Sequence, residues 1–176
     1  MSEHDRAAPA SSTFVLGLGN VLMGDDGFGP AVVRAFDTQF RVDDPHVTIA
    51  DLGTPGFDLL PWLADAGHVV IVDTIAGDLP PGTLRMFSKR DLLRHAPGPR
   101  VSPHDGGLKQ AVLMLEFAGR APAEITIIGV SPGRIGLDLE LTAPVRDAVP
   151  QAVDAIASVL QQDGIAVTRA VPRTSR

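Results

Sequence analysis

The chain has no cysteine. That single absence excludes disulfides, thiolate-held zinc, iron–sulfur clusters and a cysteine nucleophile. Basic residues are also few: 15 lysines and arginines stand against 21 acids, for a net charge of −6. Without a basic stripe, neither nucleic acid nor an anionic membrane surface is expected as a partner. No apolar run approaches the length of a membrane span, and residues 1–12 (MSEHDRAAPASS) lack a signal peptide's apolar segment. The expected location is therefore the cytoplasm. Charged residues make up 20 % of the chain against 44 % hydrophobic, which argues for a packed globule over a disordered chain. With 176 residues the simplest division is one domain over 13–165, between flexible tails at 1–12 and 166–176.

What is present is concentrated in residues 15–30, VLGLGNVLMGDDGFGP. An apolar run over 14–18 stops at Gly19-Asn20, and a short loop carries Asp25 and Asp26 between Gly24 and Gly27. Gly29-Pro30 then opens a helical pattern with Val32, Val33 and Phe36 on one face. This reads as strand, loop, helix, and in an open α/β sheet ligands bind beyond the carboxyl end of such a strand. Asn20 is the only asparagine, and asparagine's tolerance of left-handed backbone suits a turn. Two acids ahead of a helix also interact favourably with its dipole, which is the plainer account of the pair.

Further along, HVTIAD (46–51) reads as a second strand ended by Asp51, with the loop LGTPGF after it. Thr54-Pro55 could cap a helix carrying Leu59, Leu60, Trp62 and Leu63, although Pro61 inside it predicts a broken or late start. HVVIVDTIAG (68–77) is an almost continuous apolar run, as a central parallel strand requires. TLRMFS (83–88) reads as an edge strand, and 89–107, with prolines 97, 99 and 103, as an irregular functional segment ending near His104. A helix with Leu108, Ala111, Val112 and Leu115 follows, then a strand over 124–131. A long C-terminal helix starts at Thr142-Ala143-Pro144 and stops at Gly164. Val145, Ala148, Val149, Ala152, Ile156, Val159 and Leu160 make its buried face. The alternation predicts an α/β fold: a three-layer sandwich whose mainly parallel twisted sheet of about five strands is flanked by helices.

Three acids, Asp26, Asp51 and Asp73, sit at or just beyond the carboxyl ends of these strands, on one rim of a parallel sheet. An aspartate at the end of a buried strand is costly unless it is paired, hydrogen-bonded or bound to a cation. His104 could close over the same rim. Two carboxylates and an imidazole make a three-ligand set with open positions, suited to a metal that a substrate also holds. As a plainer account, Asp73 would cap the following loop and His104 would be solvated. His68, opening its strand, is expected at the surface rather than as a ligand.

Two other motifs suggest different chemistry. Gly129-Val130-Ser131-Pro132-Gly133 matches a G-x-S-x-G nucleophile elbow, but Pro132 has no N–H to offer an oxyanion. All five histidines also precede Ser131, where that fold places its histidine afterwards. Gly17-Leu18-Gly19 suggests a dinucleotide-binding turn, yet Leu22 replaces the third glycine, and Asp25 and Asp26 would oppose a pyrophosphate.

The sequence resembles the maturation endopeptidases of nickel–iron hydrogenases. The matching pieces are GLGNVLMGDDGFGP (17–30), DLGTPG (51–56), HVVIVDTI (68–75), PGTLR (81–85) and VSPHDGGL (101–108), in the family's order and spacing. The resemblance places the family's metal-binding triad on Asp26, Asp73 and His104, with Asp26 where many members carry glutamate. Gly19, Asn20, Asp25, Asp51 and Thr54 fall in supporting or substrate-contacting loops, and Leu52 replaces the usual first glycine after Asp51. The resemblance implies a protease that recognises nickel borne by the precursor of a hydrogenase large subunit and removes its C-terminal extension. The nickel arrives with the substrate, and other divalent cations could stand in for it in vitro. That cation would polarise the scissile carbonyl, activate water, or serve as a recognition tag alone. A monomer is expected. The alternatives are a nickel-dependent chaperone of the large subunit that does not cut and, more distantly, a dinucleotide-binding domain.

Overall fold

The first apolar run forms β1 (Thr13–Leu18), whose last four residues are all buried. Residues 12–94 and 105–170 are described by the computed structural model. After β1 a 3-10 turn (Asp25–Gly27) leads into α1 (Phe28–Gln39) and the two-residue β2 (Phe40–Arg41). Next come β3 (Val47–Gly53), a 3-10 turn (Gly56–Leu59), α2 (Leu60–Leu63), β4 (His68–Thr74) and β5 (Leu84–Ser88). The chain continues as α3 (Lys89–Arg94), α4 (Asp105–Phe117), β6 (Glu124–Val130), α5 (Ala143–Gln162) and β7 (Thr168–Arg169).

Five strands form one sheet in the order β3-β1-β4-β6-β5. The first three pairings are parallel and β5 closes the edge antiparallel to β6. This is the expected three-layer α/β sandwich. On one face α1 and α5 pack Phe28, Val32, Phe36, Ile156 and Leu160 against Val15, Val70 and Val72. On the other, α2, α3 and α4 bring Leu63, Leu92, Leu108 and Val112 onto Leu16, Val69 and Ile71. Every residue of β4 is buried, as its unbroken apolar run requires. No helix among the described residues is long and apolar enough to cross a membrane.

Several elements depart from expectation. Lys89–Arg94 is helical rather than irregular, because Ser88 and Asp91 cap it reciprocally. The backbone N–H and hydroxyl of Ser88 donate to Asp91 Oδ2 at 2.9 and 2.6 Å, and the Asp91 N–H returns to Ser88 Oγ at 3.2 Å. The rest of the proline-rich stretch, 95–104, lies outside the described residues. β3 runs through Asp51 to Gly53. The segment expected as a C-terminal tail begins with β7, which pairs antiparallel with β2. The Arg169 guanidinium lies 5.5 Å from the centre of the Phe40 ring. Pro61 delays its helix as expected, leaving a 3-10 turn and the four residues of α2. At the end of α5, Gly164 takes φ 79°, and the Gly164 and Ile165 N–H groups reach the carbonyls of Gln161 and Leu160. That double bond is the Schellman stop its glycine suggested.

His68 is buried rather than at the surface. Its Nδ1 lies 2.7 Å from Asp163 Oδ2 and its Nε2 2.9 Å from Thr126 Oγ1. The Asp163 bond ties the end of α5 to the amino-terminal rim of the sheet, beside Glu124, the neighbour of His68 in register on β6.

Candidate active site

The chain leaves β1 over the α1 face to reach β3, then returns over the opposite face through α2 to β4, on the other side of β1. Consecutive connections thus diverge between β1 and β4, and the crevice beyond their carboxyl ends is the topological switch point. The loops following those two strands supply the candidate acids.

The first loop is folded tightly on itself. Gly19, at φ 127°, donates its N–H to Gly53 O at 2.8 Å, and a Cβ there would lie 1.8 Å from Asp26 O. Only glycine leaves room for the turn to close. The Asn20 N–H donates to Asp26 Oδ2 at 2.8 Å, while Asn20 Oδ1 accepts the Leu22 N–H at 2.9 Å. Asn20 therefore serves the turn through its side-chain carbonyl. Its φ is not positive, so the left-handed role expected of it is not the one it plays. The second oxygen of Asp26, Oδ1, is buried and has no hydrogen-bond partner among the described residues. A buried carboxylate oxygen without a donor is costly, and in native proteins such an atom marks a place for a ligand or a cation.

Asp25, next in sequence, is fully committed elsewhere. It is 0 % exposed, and its carboxylate accepts the Gly133, Arg134 and Thr142 N–H groups at 2.7, 2.8 and 2.6 Å. The Thr142 hydroxyl adds a fourth bond at 2.9 Å. Asp25 thereby clamps both ends of the 131–142 link against the Asp26 loop. Within that link, Asp138 accepts the Glu140 N–H, and this bond, with the Arg134 guanidinium beside it, holds its carboxyl below the usual value.

Asp73 is 3 % exposed on β4, with Oδ1 accepting the Thr74 N–H at 2.7 Å. The 3-10 turn that carries Asp26 is in contact with β4. Strand register separates the other acid from this pair. Asp51 is level with Gly17, and Gly17 with Val72, so Asp51 shares the α1 face with Val72. Asp73, one residue on, points to the α4 side with Ile71. Asp51 is exposed and accepts the Gly53 N–H at 3.0 Å, so it shapes the turn rather than joining a buried rim of three acids. Thr54 is exposed in that turn. His104 lies outside the described residues; it immediately precedes α4, the helix that covers the Asp73 face.

Ser131 is buried, and its hydroxyl donates to Leu79 O at 2.7 Å. It is a structural residue, as the proline after it implied. The part sequence reasoning missed is the 131–142 link as a wall of the site. Nothing in an irregular stretch signals which of two adjacent aspartates, over a hundred positions away, will hold it.

Comparison with known proteins bears on this geometry. Residues 30–159 match the family model of the hydrogenase maturation protease HycI. The hydrogenase expression/formation protein HupD of Rhizobium leguminosarum is 35 % identical over 165 residues, spanning 91 % of this chain and 79 % of that protein. The hydrogenase 2 maturation protease of Escherichia coli is 31 % identical over 160 residues, 90 % of this chain and 94 % of its own. Among solved structures, the E. coli hydrogenase maturating endopeptidase HybD superposes with a TM-score of 0.81 at 28 % identity, covering 90 % of this chain and 97 % of that one. HybD of Thermococcus kodakarensis, a [NiFe] hydrogenase maturation protease, gives 0.67 at 28 % identity, over 84 % and 98 %. By fold, by sequence over nearly its whole length, and by the match to the family model, this chain belongs to the hydrogenase maturation protease family.

Proposed function

We propose that this protein removes the C-terminal extension from the nickel-loaded precursor of a nickel–iron hydrogenase large subunit, gripping the substrate's nickel through Asp26, Asp73 and His104. The observation that carries this reading is Asp26 Oδ1, a buried acceptor without a partner among the described residues, on the loop against β4. Asp73, buried at the end of that strand, supplies the second carboxylate. His104 would arrive from the chain leading into α4.

Each residue has a distinct task in this account. Asp25 fixes the loop so that Asp26 need not bear structural strain, and the Asn20 N–H orients the Asp26 carboxylate by holding one oxygen and leaving the other. The Thr74 N–H holds Asp73 Oδ1. When bound, the cation supplies Lewis acidity toward a carbonyl or a water, and discrimination between loaded and empty precursor. Oxygen and imidazole donors suit nickel and its neighbours, which is why another divalent cation could replace it in vitro. The same reading has the protein act in the cytoplasm as a monomer.

The test is a cleavage assay on nickel-loaded and nickel-free precursor from the same cell, with product mass read by mass spectrometry. A truncated product from the loaded precursor alone is expected. Tight binding of the loaded precursor with no product under any condition would instead mark a maturation chaperone.

A further inference from the structure

We propose that the amino-terminal rim of the sheet carries a site of its own, in which His68, Glu124 and Asp163 hold a divalent transition cation of the zinc class. The site lies at the other end of the strands from Asp73, about 17 Å along β4 at the usual rise per residue. It does not depend on the protease reading.

Three elements bring these side chains together. His68 opens β4 and Glu124 opens β6, level with each other in a parallel pair. The two-residue period of a strand puts His68, Glu124 and Thr126 on the face that α5 covers, with Val70, Val72 and Ile128. Asp163 caps the carboxyl end of α5 above them. One ligand atom from each of His68, Glu124 and Asp163 lies within 4.8 Å of the other two. They line an open cleft of about 450 Å³, with Asp44 and His46 on its wall, so water or a further ligand can complete the coordination.

The imidazole is held as a metal ligand is held. Its Nε2 meets the Thr126 hydroxyl at 2.9 Å, which fixes the ring and aims Nδ1 at Asp163 Oδ2, 2.7 Å away. A hydroxyl can donate or accept, so Thr126 serves both states of the ring. With the proton on Nδ1 the ring donates to Asp163 and accepts from Thr126. With a cation on Nδ1 the proton sits on Nε2 and Thr126 accepts it, the outer-shell bond that orients most metal-bound histidines. Neither state leaves a buried nitrogen without a partner.

The charges at this rim also call for a cation. Asp163 stands at the negative end of a 20-residue helix, where an acid is unfavourable. Glu124 brings a second carboxylate beside it, and among the described residues no lysine or arginine pairs with either. The Glu124 carboxylate has no hydrogen bond there and is exposed, so it is free to swing in. Ligands of one zinc ion lie about 3.4 Å apart, which asks that side chain to move by roughly 1 Å. One imidazole and two carboxylates match zinc and its neighbours better than calcium or magnesium, which take oxygen alone. Binding there would clasp the end of α5 to β4 and β6.

The test titrates zinc into the full chain after chelator treatment, following heat of binding and Tm. Asp73→Asn is the parent throughout, so that the opposite rim does not supply the binding. The parent is expected to take up one zinc with Kd on the order of micromolar. At a hundredfold excess over that Kd its Tm should rise by roughly 5–10 °C. Glu124→Gln and Asp163→Asn, each added to the parent, should weaken Kd more than about tenfold and, at the same zinc concentration, keep about half of that rise or less. Glu124→Gln alters an exposed side chain with no hydrogen bond among the described residues, so it keeps the test decisive should Asp163→Asn loosen α5. Parental affinity in Glu124→Gln, or no measurable zinc binding by the parent, would overturn the proposal and leave His68 and Asp163 as a structural pair.

Discussion

Asp73→Asn is expected to leave the nickel-loaded precursor uncut where wild type processes it, with a loss on the order of 10³-fold in kcat/KM. The substitution keeps the side chain's volume, and the amide oxygen can still accept the Thr74 N–H. What disappears is negative charge at a buried position facing the α4 side. Asp26→Asn should show the same loss, because its Oδ2 contact to the Asn20 N–H is reproducible by an amide while the unpartnered oxygen is not. Asp51→Asn serves as the contrast: it is exposed on the other face, so its effect should stay within about tenfold, the lower end for a positioning residue. Product mass and circular dichroism, measured on the same preparations, separate lost chemistry from lost fold. Undiminished cleavage by Asp73→Asn would mean that these carboxylates are structural.

The largest effect on stability is expected from Gly29→Ala. A Cβ at Gly29 would sit 2.3 Å from Leu18 O, 2.4 Å from Val72 O and 2.6 Å from Leu18 N. All three obstacles are backbone atoms of central strands, so relief requires lifting the start of α1 from the sheet and opening the Phe28 and Val32 contacts beneath it. Overpacking against so rigid a neighbour should cost on the order of 3–5 kcal/mol and lower Tm by roughly 10 °C or more. Gly107→Ala, in α4 with nothing within 4 Å, should be neutral or stabilising by up to about 1 kcal/mol through helix propensity. Urea titrations of the two variants would settle the contrast, and equal midpoints would show that α1 can shift without cost.

Which features were legible in the sequence follows from the range of the interactions that make them. Strands β1, β4 and β6 and the buried stripe of α5 are written in local hydrophobic patterns, which burial enforces at each position. The short α3 was hidden because nearby prolines outweighed Ser88-Lys89-Arg90-Asp91, although a serine with an acid three residues later is a capping signal. His68 was misplaced for a different reason. A strand-opening histidine reads as polar, and its burial depends on Asp163 and Thr126, 95 and 58 positions away. β7 depends likewise on pairing with Phe40–Arg41. At the site, position relative to strand ends singled out Asp26 and Asp73, but only register could separate Asp51 from them, since one residue's shift changes the face. Asp25 and Asp26 are indistinguishable in composition and adjacent in sequence; their partners divide them.

The unsatisfied oxygen of Asp26 has a further consequence. A folded chain that carries a desolvated anion with one side unanswered is less stable than it need be, and the deficit is made up only when a substrate arrives. Selection for activity has then been selection against maximal robustness at this position. Asp26→Asn, inactive as a protease, should therefore melt at the same temperature as wild type or higher. A heat-tolerance screen that ignored catalysis would be expected to recover it, and a Tm well below wild type would show that the carboxylate supports the resting fold.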